Sequence, residues 1–329
     1  YQEAIDFLFT SLPMYQRLGK AAYKSNLDNT HRLDHWFGHP HRSYACIHVA
    51  GTNGKGSVCH MIGSVLQASG LRTGLYTSPH LLDFRERIRI NGQAIPEEEV
   101  LSFVAGNQEI IREIKPSFFE MTVAMAFDYF SRQQVDVAVI ETGLGGRLDS
   151  TNIITPVLSI ITNISLDHTE FLGSDLPSIA REKGGIIKEG IPLVIGRAHE
   201  SSEAVLLGMA RERKAPYVCA NRVYQAQFRT LNLDGSTRLS FSKKGTPEHH
   251  SITCDLNGAY QDENILTAFA ALEELQKLGW NISEAHMEEG FASVAASTGI
   301  RGRWQTLGHN PRSICDTAHN VDGIAAVVR

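Results

Sequence analysis

The sequence lacks several features that would place it in a specialised class of protein. Its five cysteines are scattered and no CxxC spacing occurs, so the pattern suggests neither a zinc site nor a disulfide framework. No apolar run approaches the length of a membrane span, and no signal peptide opens the chain. The net charge of −5 leaves no general basic surface for nucleic acid. We therefore expect a cytoplasmic protein in a reducing environment, without membrane or nucleic-acid partners.

What remains is the composition of an ordinary soluble globular protein. Of the 329 residues, 42% are hydrophobic and 20% are charged, which is enough for a full core. The length predicts about two domains, or one large domain with an extension. The chain begins with Tyr1 rather than methionine, so we expect that translation starts further upstream.

The stretch with the clearest chemical signal is 45–57, which reads ACIHVAGTNGKGS. Its first residues are typical of a short buried strand, a glycine-rich turn follows, and helical apolar spacing comes next. Glycines allow backbone N–H groups to converge on phosphate oxygens, and the start of a helix favours negative charge at the same place. In such a loop Lys55 would reach the β- and γ-phosphates, and a nearby hydroxyl would hold Mg²⁺.

The loop differs from the plain Walker pattern at two positions. That pattern has glycine at position 49 and a hydroxyl directly after the lysine, whereas this chain has Val49 and Gly56, with the hydroxyl at Ser57. The alternative interpretation is a strand-to-helix turn that is merely rich in glycine. The combination of lysine, hydroxyl and strand–helix context favours the nucleotide site.

Short apolar strands alternate with helical patterns over most of the chain. The predicted segments are helix and loop over 1–40, and strands over 72–77, 135–140, 157–164 and 192–195. This alternation is typical of a mostly parallel sheet with helices on both faces, in which ligands bind beyond the carboxyl ends of the strands. We expect the segments that follow these ends to converge, and they are 51–57, 78–80, Glu141 and His168.

Three further segments have a different character. An alternating stretch over 86–92 predicts a β-ribbon with a turn at its end, and its arginines form an exposed face or contact a substrate. These arginines are Arg85, Arg87 and Arg89. Residues 217–256 predict short antiparallel strands, a β-rich excursion within the first domain. A new unit begins near Thr298, and its lone strand over 313–316 packs on the first domain or belongs to a larger protein, because it cannot bury a core of its own.

Several stretches together resemble one family, the folylpolyglutamate and dihydrofolate synthases of the Mur ligase superfamily. In chain order they are HVAGTNGKGS at 48–57, TSPHLL at 77–82, FE at 119–120, ETGLGGRLDSTN at 141–152, LDH at 166–168, REK at 181–183 and DTAHN at 316–320. The GLGGRLD and SPHL stretches are specific to this family rather than to nucleotide binding in general. The departures at Val49 and Gly56 are the family's own loop pattern.

The resemblance implies an α/β fold. A P-loop domain of the Mur ligase central type, with a mostly parallel sheet and a small β-rich excursion, would occupy 1–297. Residues 298–329 would form a linker and the beginning of an incomplete, Rossmann-like C-terminal domain that ligates glutamate. Arg301 replaces the proline of the family's Pro-Gly-Arg linker, so we expect this linker to be less stiff. If this sequence is the whole protein, half of the cleft is missing, and we expect nucleotide binding with weak or no turnover.

The reaction that the resemblance implies is ATP-dependent amide formation by a monomer. A carboxylate attacks the γ-phosphate of ATP to give an acyl phosphate, and the amino group of L-glutamate then displaces phosphate. The acceptor is dihydropteroate, which yields dihydrofolate, or a folate, which gains a γ-glutamyl residue. Both activities use one site plan, so the sequence does not choose between them.

The resemblance also implies roles for individual residues. The nucleotide set is Gly51, Thr52, Asn53, Gly54, Lys55, Gly56, Ser57, Asn264, Arg303 and Asp316. The metal set is Ser57, Glu141 and His168, which would hold Mg²⁺ or, since histidine is an unusual ligand for Mg²⁺, Mn²⁺. The catalytic set is Lys55, Lys183 and His168, and the substrate set is Phe119, Asp149 and His319. Lys183 matches a lysine that is carbamylated in many relatives, which would turn a cation into an anionic metal ligand.

These assignments have structural alternatives. Glu141 would otherwise be a solvated acid at a strand end, His168 a hydrogen-bonded polar histidine, and Lys183 a lysine on a helix surface. Phe119 would otherwise belong to the core, where we also place Cys59.

Other classes of function stay open. One is another Mur-type ligase that acts on a cell-wall precursor, which the SPHL stretch disfavours. Another is a nucleotide-binding module without ligase chemistry. A P-loop kinase or GTPase is disfavoured by Gly56 after Lys55 and by the absence of an Asn-Lys-x-Asp guanine motif.

Overall fold

One central sheet organises this computed structural model, which describes residues 1–13 and 26–328. Its strands are β1 (Ala45–Ala50), β2 (Thr73–Tyr76), β3 (Ile88–Ile90), β4 (Gln93–Ala94), β5 (Val137–Glu141), β6 (Leu158–Asn163), β7 (Leu193–Arg197) and β8 (Tyr217–Cys219). Within the described residues they are hydrogen-bonded in the order β4-β3-β2-β5-β1-β6-β7-β8. Neighbours from β2 to β8 are parallel, and the hairpin strands β3 and β4 are antiparallel. The predicted mostly parallel sheet is confirmed.

Helices occupy the connections between these strands. They are α1 (Gln2–Ser11), α2 (Asp28–Trp36), α3 (Lys55–Ala68), α4 (Glu97–Gly106), α5 (Gln108–Ile114), α6 (Phe118–Arg132), α7 (Thr169–Leu172), α8 (Leu176–Lys183), α9 (Glu200–Glu212), α10 (Ala220–Val223), α11 (Gln261–Lys277), α12 (Glu284–Ala292), α13 (Val294–Thr298) and α14 (Val321–Val328). Short 3₁₀ turns lie at Pro40–Arg42, Phe84–Arg87, Ser150–Ile153 and Gly184–Ile186. The prediction of helix and loop over 1–40 is confirmed except at 14–25, which lie outside the described residues. No helix in the described ranges is long and apolar enough to cross a membrane.

Helices cover both faces of the sheet because its inner strands are apolar on both sides. Every residue of β5 is buried, and its successive side chains join different hydrophobic clusters. On one face α3 and α11 contribute Met61 and Phe269. On the other face α6 contributes Phe127 and Phe130. Each such side chain stabilises the fold by roughly 2 kcal/mol, so β1 and β5 hold the loops that follow them in defined positions.

The β-rich excursion predicted over 217–256 is confirmed only in part. Strands β9 (Tyr224–Leu231), β10 (Thr237–Lys243) and β11 (His249–Cys254) form an antiparallel sheet in the order β11-β10-β9. The strand at 217–219 does not belong to it. It is β8, which pairs parallel with β7 at the edge of the central sheet. A strand of three residues is too short for its residue pattern to indicate which sheet it joins. Its place depends on where the chain lies after α9.

The C-terminal residues form a hairpin and a helix. Strand β13 (Arg312–Cys315) pairs with β12 (Gln305–His309), so the expectation of a lone strand at 313–316 is wrong. Helix α14 exposes apolar side chains, including Val321 at 82% and Val328 at 79%. Asn320, just before α14, hydrogen-bonds to the phosphate loop, which is one contact by which this tail packs on the first domain. The domain division at 297/298 stays a prediction.

Candidate active site

A cleft of about 1350 Å³ lies at the carboxyl ends of β1, β2, β5 and β6. Side chains from the segments that follow these strands line it, including Lys55, Ser78, Glu141 and His168. The predicted convergence of these segments is therefore confirmed. The cleft also extends to Phe119 on α6 and to residues of α14, so the candidate nucleotide, metal and acceptor residues share one cavity.

The phosphate loop between β1 and α3 is held in shape by the protein itself. Gly54 has a φ of 82°, and a Cβ atom on it would lie 2.2 Å from Asn264 Oδ1, so the position requires glycine. The backbone N–H of Asn53 donates to Asn163 Oδ1 at 2.7 Å. The Thr162 hydroxyl donates to the carbonyl of Asn53 at 2.6 Å. These contacts fix the conformation of the loop.

Two lysines share the carbonyl oxygen of Gly51. Lys55 Nζ donates to the carbonyls of Gly51 and Thr52, both at 3.1 Å, and Lys183 Nζ donates to that of Gly51 at 2.7 Å. Lys183 is only 3% exposed, so the alternative of a lysine on a helix surface is wrong. Burial, and then the charge of Lys55, lowers the pKa of Lys183 to about 7. A lysine in this environment is partly neutral at neutral pH, and its neutral amine is a nucleophile.

Polar side chains connect the first turn of α3 with the start of α11. Gln261 Nε2 donates to Ser57 Oγ at 3.2 Å, and Asn264 Nδ2 donates to Gln261 Oε1 at 2.7 Å. These bonds orient the Ser57 hydroxyl and keep Asn264 beside the phosphate loop. Sequence reasoning assigned no role to Gln261. The available signal was its position three residues before Asn264, which puts both side chains on one helix face.

Glu141 ends β5 with its carboxylate in the wall of the cleft. It is 4% exposed, so the alternative of a solvated strand-end acid is wrong, and its Oε2 atom accepts from the Ser78 N–H at 3.1 Å. Burial raises the pKa of Glu141, and the charges of Lys55 and Arg303 oppose that rise. A Cβ atom on Gly56 would lie 3.3 Å from Arg303 Nη2 and 3.6 Å from Glu141 Oε2, so α3 begins beside both side chains. A buried carboxylate of this kind is a suitable ligand for a divalent cation.

His168 follows β6 and caps the short helix α7 with a φ of 47°. Its Nε2 atom lies 3.8 Å from Asp167 Oδ2. Burial lowers the pKa of His168, Asp167 raises it, and Lys183 lowers it further. Across residues 1–13 and 26–328, no group of three or more His, Cys, Asp or Glu side chains is arranged to hold a metal ion. A metal at this site would therefore depend on the mixed predicted set of hydroxyl, carboxylate and imidazole.

The C-terminal part brings further predicted residues to the cleft, which Arg303, Asp316 and His319 all line. Asp316 accepts a hydrogen bond from the Tyr260 hydroxyl. Arg303 donates to Thr317 Oγ1. His319 is exposed at the rim, and its Nδ1 atom lies 3.0 Å from the carbonyl oxygen of Thr317. The structure thus anchors Arg303 and Asp316 and leaves the His319 ring accessible.

Phe119 and Asp149 lie where α6 meets the loop after β5. The Phe119 ring is half-buried, with its centroid 6.1 Å from that of Tyr76. A Cβ atom on Gly143 would lie 2.4 Å from Phe119 Cζ, so the loop packs directly on the ring. Asp149 is buried, and its Oδ2 atom accepts from the N–H groups of Gly143 and Leu144, both at 2.8 Å. Asp149 therefore shapes the loop, while Phe119 presents an apolar ring to the cleft.

The prediction of an exposed arginine face on the ribbon is wrong for Arg87. Its side chain is buried, its Nε atom donates to His80 Nδ1 at 2.7 Å, and its guanidinium lies 5.2 Å from the centroid of the Phe118 ring. A 3₁₀ turn at Phe84–Arg87 replaces the start of the predicted strand, so alternation does not apply there. Arg89 is half-buried. Sequence reasoning also gave no role to His80, whose pKa burial and Arg87 lower to about 4.

A glycine-rich loop between a central parallel strand and a helix, with a lysine and a buried acid beside it, defines a nucleotide-binding α/β enzyme of the P-loop class. The family model of the Mur ligase middle domain matches residues 49–272. This range includes the phosphate loop together with Glu141, His168 and Lys183.

Known proteins extend this match over the rest of the chain. Folylpolyglutamate synthase from Lacticaseibacillus casei is 35% identical over 304 residues, which covers 90% of this chain and 70% of the relative. Dihydrofolate synthase/folylpolyglutamate synthase from Bacillus subtilis (strain 168) is 35% identical over 313 residues, which covers 93% and 71%. A solved FPGS–AMPPCP–folate complex superposes with a TM-score of 0.90 at 32% identity, over 100% of this chain and 79% of that one. The chain belongs to the folylpolyglutamate and dihydrofolate synthase family of Mur ligases, ATP-dependent ligases that add glutamate in folate metabolism.

Proposed function

We propose that this protein binds ATP and joins L-glutamate to a carboxylate of dihydropteroate or of a folate. The observation that carries the proposal is the shared cleft, which the phosphate loop lines together with Glu141 and the aromatic ring of Phe119. Lys183 is buried beneath this loop and donates to the carbonyl of Gly51. The relative named as a complex with AMPPCP and folate supports the binding of both a nucleotide and a folate.

In the proposed reaction an acceptor carboxylate oxygen attacks the γ-phosphorus of ATP, the bond to the β–γ bridging oxygen breaks, and ADP leaves. The glutamate amino group then attacks the acyl carbon, the carbon–oxygen bond to phosphate breaks, and phosphate leaves as the amide forms and a proton is released. Phosphoryl transfer needs positioning and neutralised charge more than covalent help from the protein. Lys55 and Arg303 would supply positive charge on the nucleotide side.

The remaining residues divide between the two sides of the cleft. On the nucleotide side, the N–H groups of 51–57 would surround the phosphates, and Asn264 and Asp316 would contact the nucleoside. On the acceptor side, Phe119 would stack against the pterin and the Asp149 loop would support its edge. His319, which is exposed at the rim, would meet the incoming glutamate.

We also propose that a divalent cation, Mg²⁺ or Mn²⁺, binds to Ser57, Glu141 and His168. The donor set fits because a buried carboxylate is stabilised by a cation, and a hydroxyl and a neutral imidazole are acceptable further ligands. When bound, the cation would neutralise charge that develops on the phosphates.

Lys183 is the proposed site of carbamylation. Its buried amine has a pKa of about 7, which provides the neutral nucleophile that CO₂ requires. The nitrogen would bond to the carbon of CO₂ and lose a proton, so a cation near the phosphate loop would become an anion.

The protein is further proposed to act as a cytoplasmic monomer. All five cysteines are free thiols, which suits a reducing compartment. Size-exclusion chromatography with light scattering would test the monomer.

The central test measures ADP release and incorporation of labelled glutamate, with dihydropteroate and tetrahydrofolate in separate reactions. We expect equal amounts of both products with at least one acceptor, and neither product from Lys55→Met. Lys277→Met removes an exposed lysine from α11 and is the matched control.

The chain spans 70% of the L. casei relative. The binding of AMPPCP and of folate is therefore also measured, by calorimetry, so that the test does not depend on turnover alone. If neither ligand binds, the proposal is contradicted. Turnover with a cell-wall peptide and not with either pterin would favour the other Mur-type ligase.

A further inference from the structure

A line of hydrogen bonds connects the central strand to the acceptor side of the cleft. His48 lies in β1 and is fully buried, and its Nε2 atom lies 2.8 Å from Thr151 Oγ1. The Thr151 hydroxyl in turn lies 2.5 Å from Asp149 Oδ1. The other oxygen of that carboxylate accepts from the N–H groups of Gly143 and Leu144. The line therefore runs from β1 to the loop that packs on the aromatic ring of the cleft wall.

The chemistry of these groups sets the direction of each bond. Burial raises the pKa of Asp149, and the donors around its carboxylate oppose that rise. These donors are the Thr151 hydroxyl and the backbone N–H groups of Gly143, Leu144 and Thr151, so both carboxylate oxygens accept. The Thr151 hydroxyl gives its single proton to Asp149 and so accepts from His48. His48 therefore carries its proton on Nε2 and none on Nδ1.

One further observation agrees with this tautomer, and a second indicates that the ring is neutral. Among the described residues the buried Nδ1 atom of His48 has no hydrogen-bond partner, and a bare nitrogen is less costly there than an unsatisfied N–H donor. Burial, and then the charge of Lys188, lowers the pKa of His48 to about 3. The imidazole is therefore neutral throughout the physiological range.

Packing alone does not explain a histidine at this position. The residues that share its face of β1, Cys46 and Ala50, are buried and apolar. A polar group buried with unsatisfied atoms costs roughly 1–3 kcal/mol, so an apolar side chain at position 48 would suit the core better. What the imidazole provides instead is a directed N–H bond to Thr151.

We infer that His48 is a positioning residue for the acceptor. Its Nε2–H group holds Thr151, and through it Asp149, so that Gly143 lies against Phe119. The inference rests on the proposed function for the identity of the acceptor. Since Asn53 and Thr162 hold the phosphate loop by separate contacts, a change at His48 affects acceptor binding rather than nucleotide binding.

The experiment compares three variants with the native protein. In His48→Gln the amide nitrogen reaches the place of Nε2, in His48→Asn it reaches that of Nδ1, and His48→Leu has no donor. We expect the acceptor KM, or the folate Kd, to rise roughly tenfold in His48→Asn and His48→Leu, as for one lost buried hydrogen bond, and about threefold or less in His48→Gln. The ATP KM changes by about twofold or less in all three. His249→Gln, an exposed histidine on β11, is the matched control.

A structural readout keeps the inference testable if a variant folds poorly. ¹⁵N NMR of the native protein should report the neutral Nε2–H tautomer of His48 at pH 7. An Nδ1–H tautomer, an equal loss in His48→Gln and His48→Leu, or a rise in ATP KM as large as that in acceptor KM would overturn the inference. If the native protein binds no pterin at all, the proposed function fails, while the NMR result still decides the hydrogen-bond line.

Discussion

The side-chain amides of Asn53 and Asn320 donate hydrogen bonds to each other, at 3.1 Å from Asn53 and 2.9 Å from Asn320. Asn320 Nδ2 also donates to Asp167 Oδ2 at 3.1 Å. One end of this pair belongs to the phosphate loop and the other to the segment that carries Asp316. The pair therefore connects the two parts of the chain proposed to hold the nucleotide.

Asn320→Ala should weaken AMPPCP binding roughly 5- to 30-fold, since it removes hydrogen bonds worth about 1 kcal/mol each. Isothermal titration calorimetry measures the change, and Asn232→Ala, which removes an amide from the β9–β10 turn, is the control. A double-mutant cycle with Asn53→Ala should show coupling. Additive losses would contradict the pairing.

The proposed carbamylation of Lys183 should depend on pH. Because the pKa of Lys183 is about 7, the reactive neutral amine predominates above pH 7 and falls to roughly a tenth of the population at pH 6. In ¹³C-bicarbonate, a carbamate NMR signal should be strong at pH 8 and fade as the pH falls below 7. Lys183→Arg should abolish it.

Lys188 is the matched control for that experiment, because burial lowers its pKa to about 8 and it lies on the same segment. Lys188→Arg should keep the signal. A carbamate signal that persists in Lys183→Arg would show that another amine reacts.

His60 should make the protein less stable in acid. Its Nδ1 atom lies 2.7 Å from Thr298 Oγ1, and burial lowers its pKa from 6.5 to about 3. Between these values the unfolded chain binds a proton that the folded chain does not, so the free energy of unfolding decreases as the pH falls below 6.5.

His60→Asn keeps an N–H group near Nδ1 and removes the titration, so the loss of stability between pH 6 and 4 should be smaller by about 1 kcal/mol per pH unit. Urea unfolding at several pH values measures it. His249→Asn, an exposed change, should leave the profile as in the native protein, and an unaltered profile in His60→Asn would count against the assignment.

Gly54→Ala should damage the nucleotide site by crowding as well as by backbone strain. Its added Cβ would lie 2.2 Å from Asn264 Oδ1, at a φ of 82°. We expect a loss of roughly 1–2 kcal/mol in stability and a loss of AMPPCP affinity of about tenfold or more.

Gly279→Ala separates these two effects. Gly279 has a φ of 89°, and no atom of the described residues lies within 4 Å of its added Cβ. It should lose about 1 kcal/mol of stability and keep its affinity for AMPPCP. Equal affinities in the two variants would mean that contact with Asn264 does not matter.

Much of the nucleotide side could be predicted from the sequence because its signals are local. Strand, glycine turn, Lys55 and helix follow one another within 45–68, where spacing and residue type decide the conformation. The convergence of Glu141 and His168 followed from a general property of parallel sheets, whose strands end at one edge.

The predictions that failed concern which side of a segment is exposed and which strand a short segment pairs with. Arg87 was expected on an exposed ribbon face, but a 3₁₀ turn before β3 directs it into the protein. The three residues of β8 joined the central sheet rather than the small one. In both places the segment is short, and its contacts with neighbouring elements decide its position more than its own residue pattern does.

The sequence by itself determined the class of fold, the phosphate loop and the family motifs, because each is written in residues that are close along the chain. Only the tertiary structure decided that Lys183 lies beneath Gly51, 132 residues away, and that His48 Nε2 lies within hydrogen-bond distance of the Thr151 hydroxyl, 103 residues away. Such contacts depend on how distant segments pack and on which buried polar groups that packing brings together. Neither can be predicted from the residue pattern of a local segment.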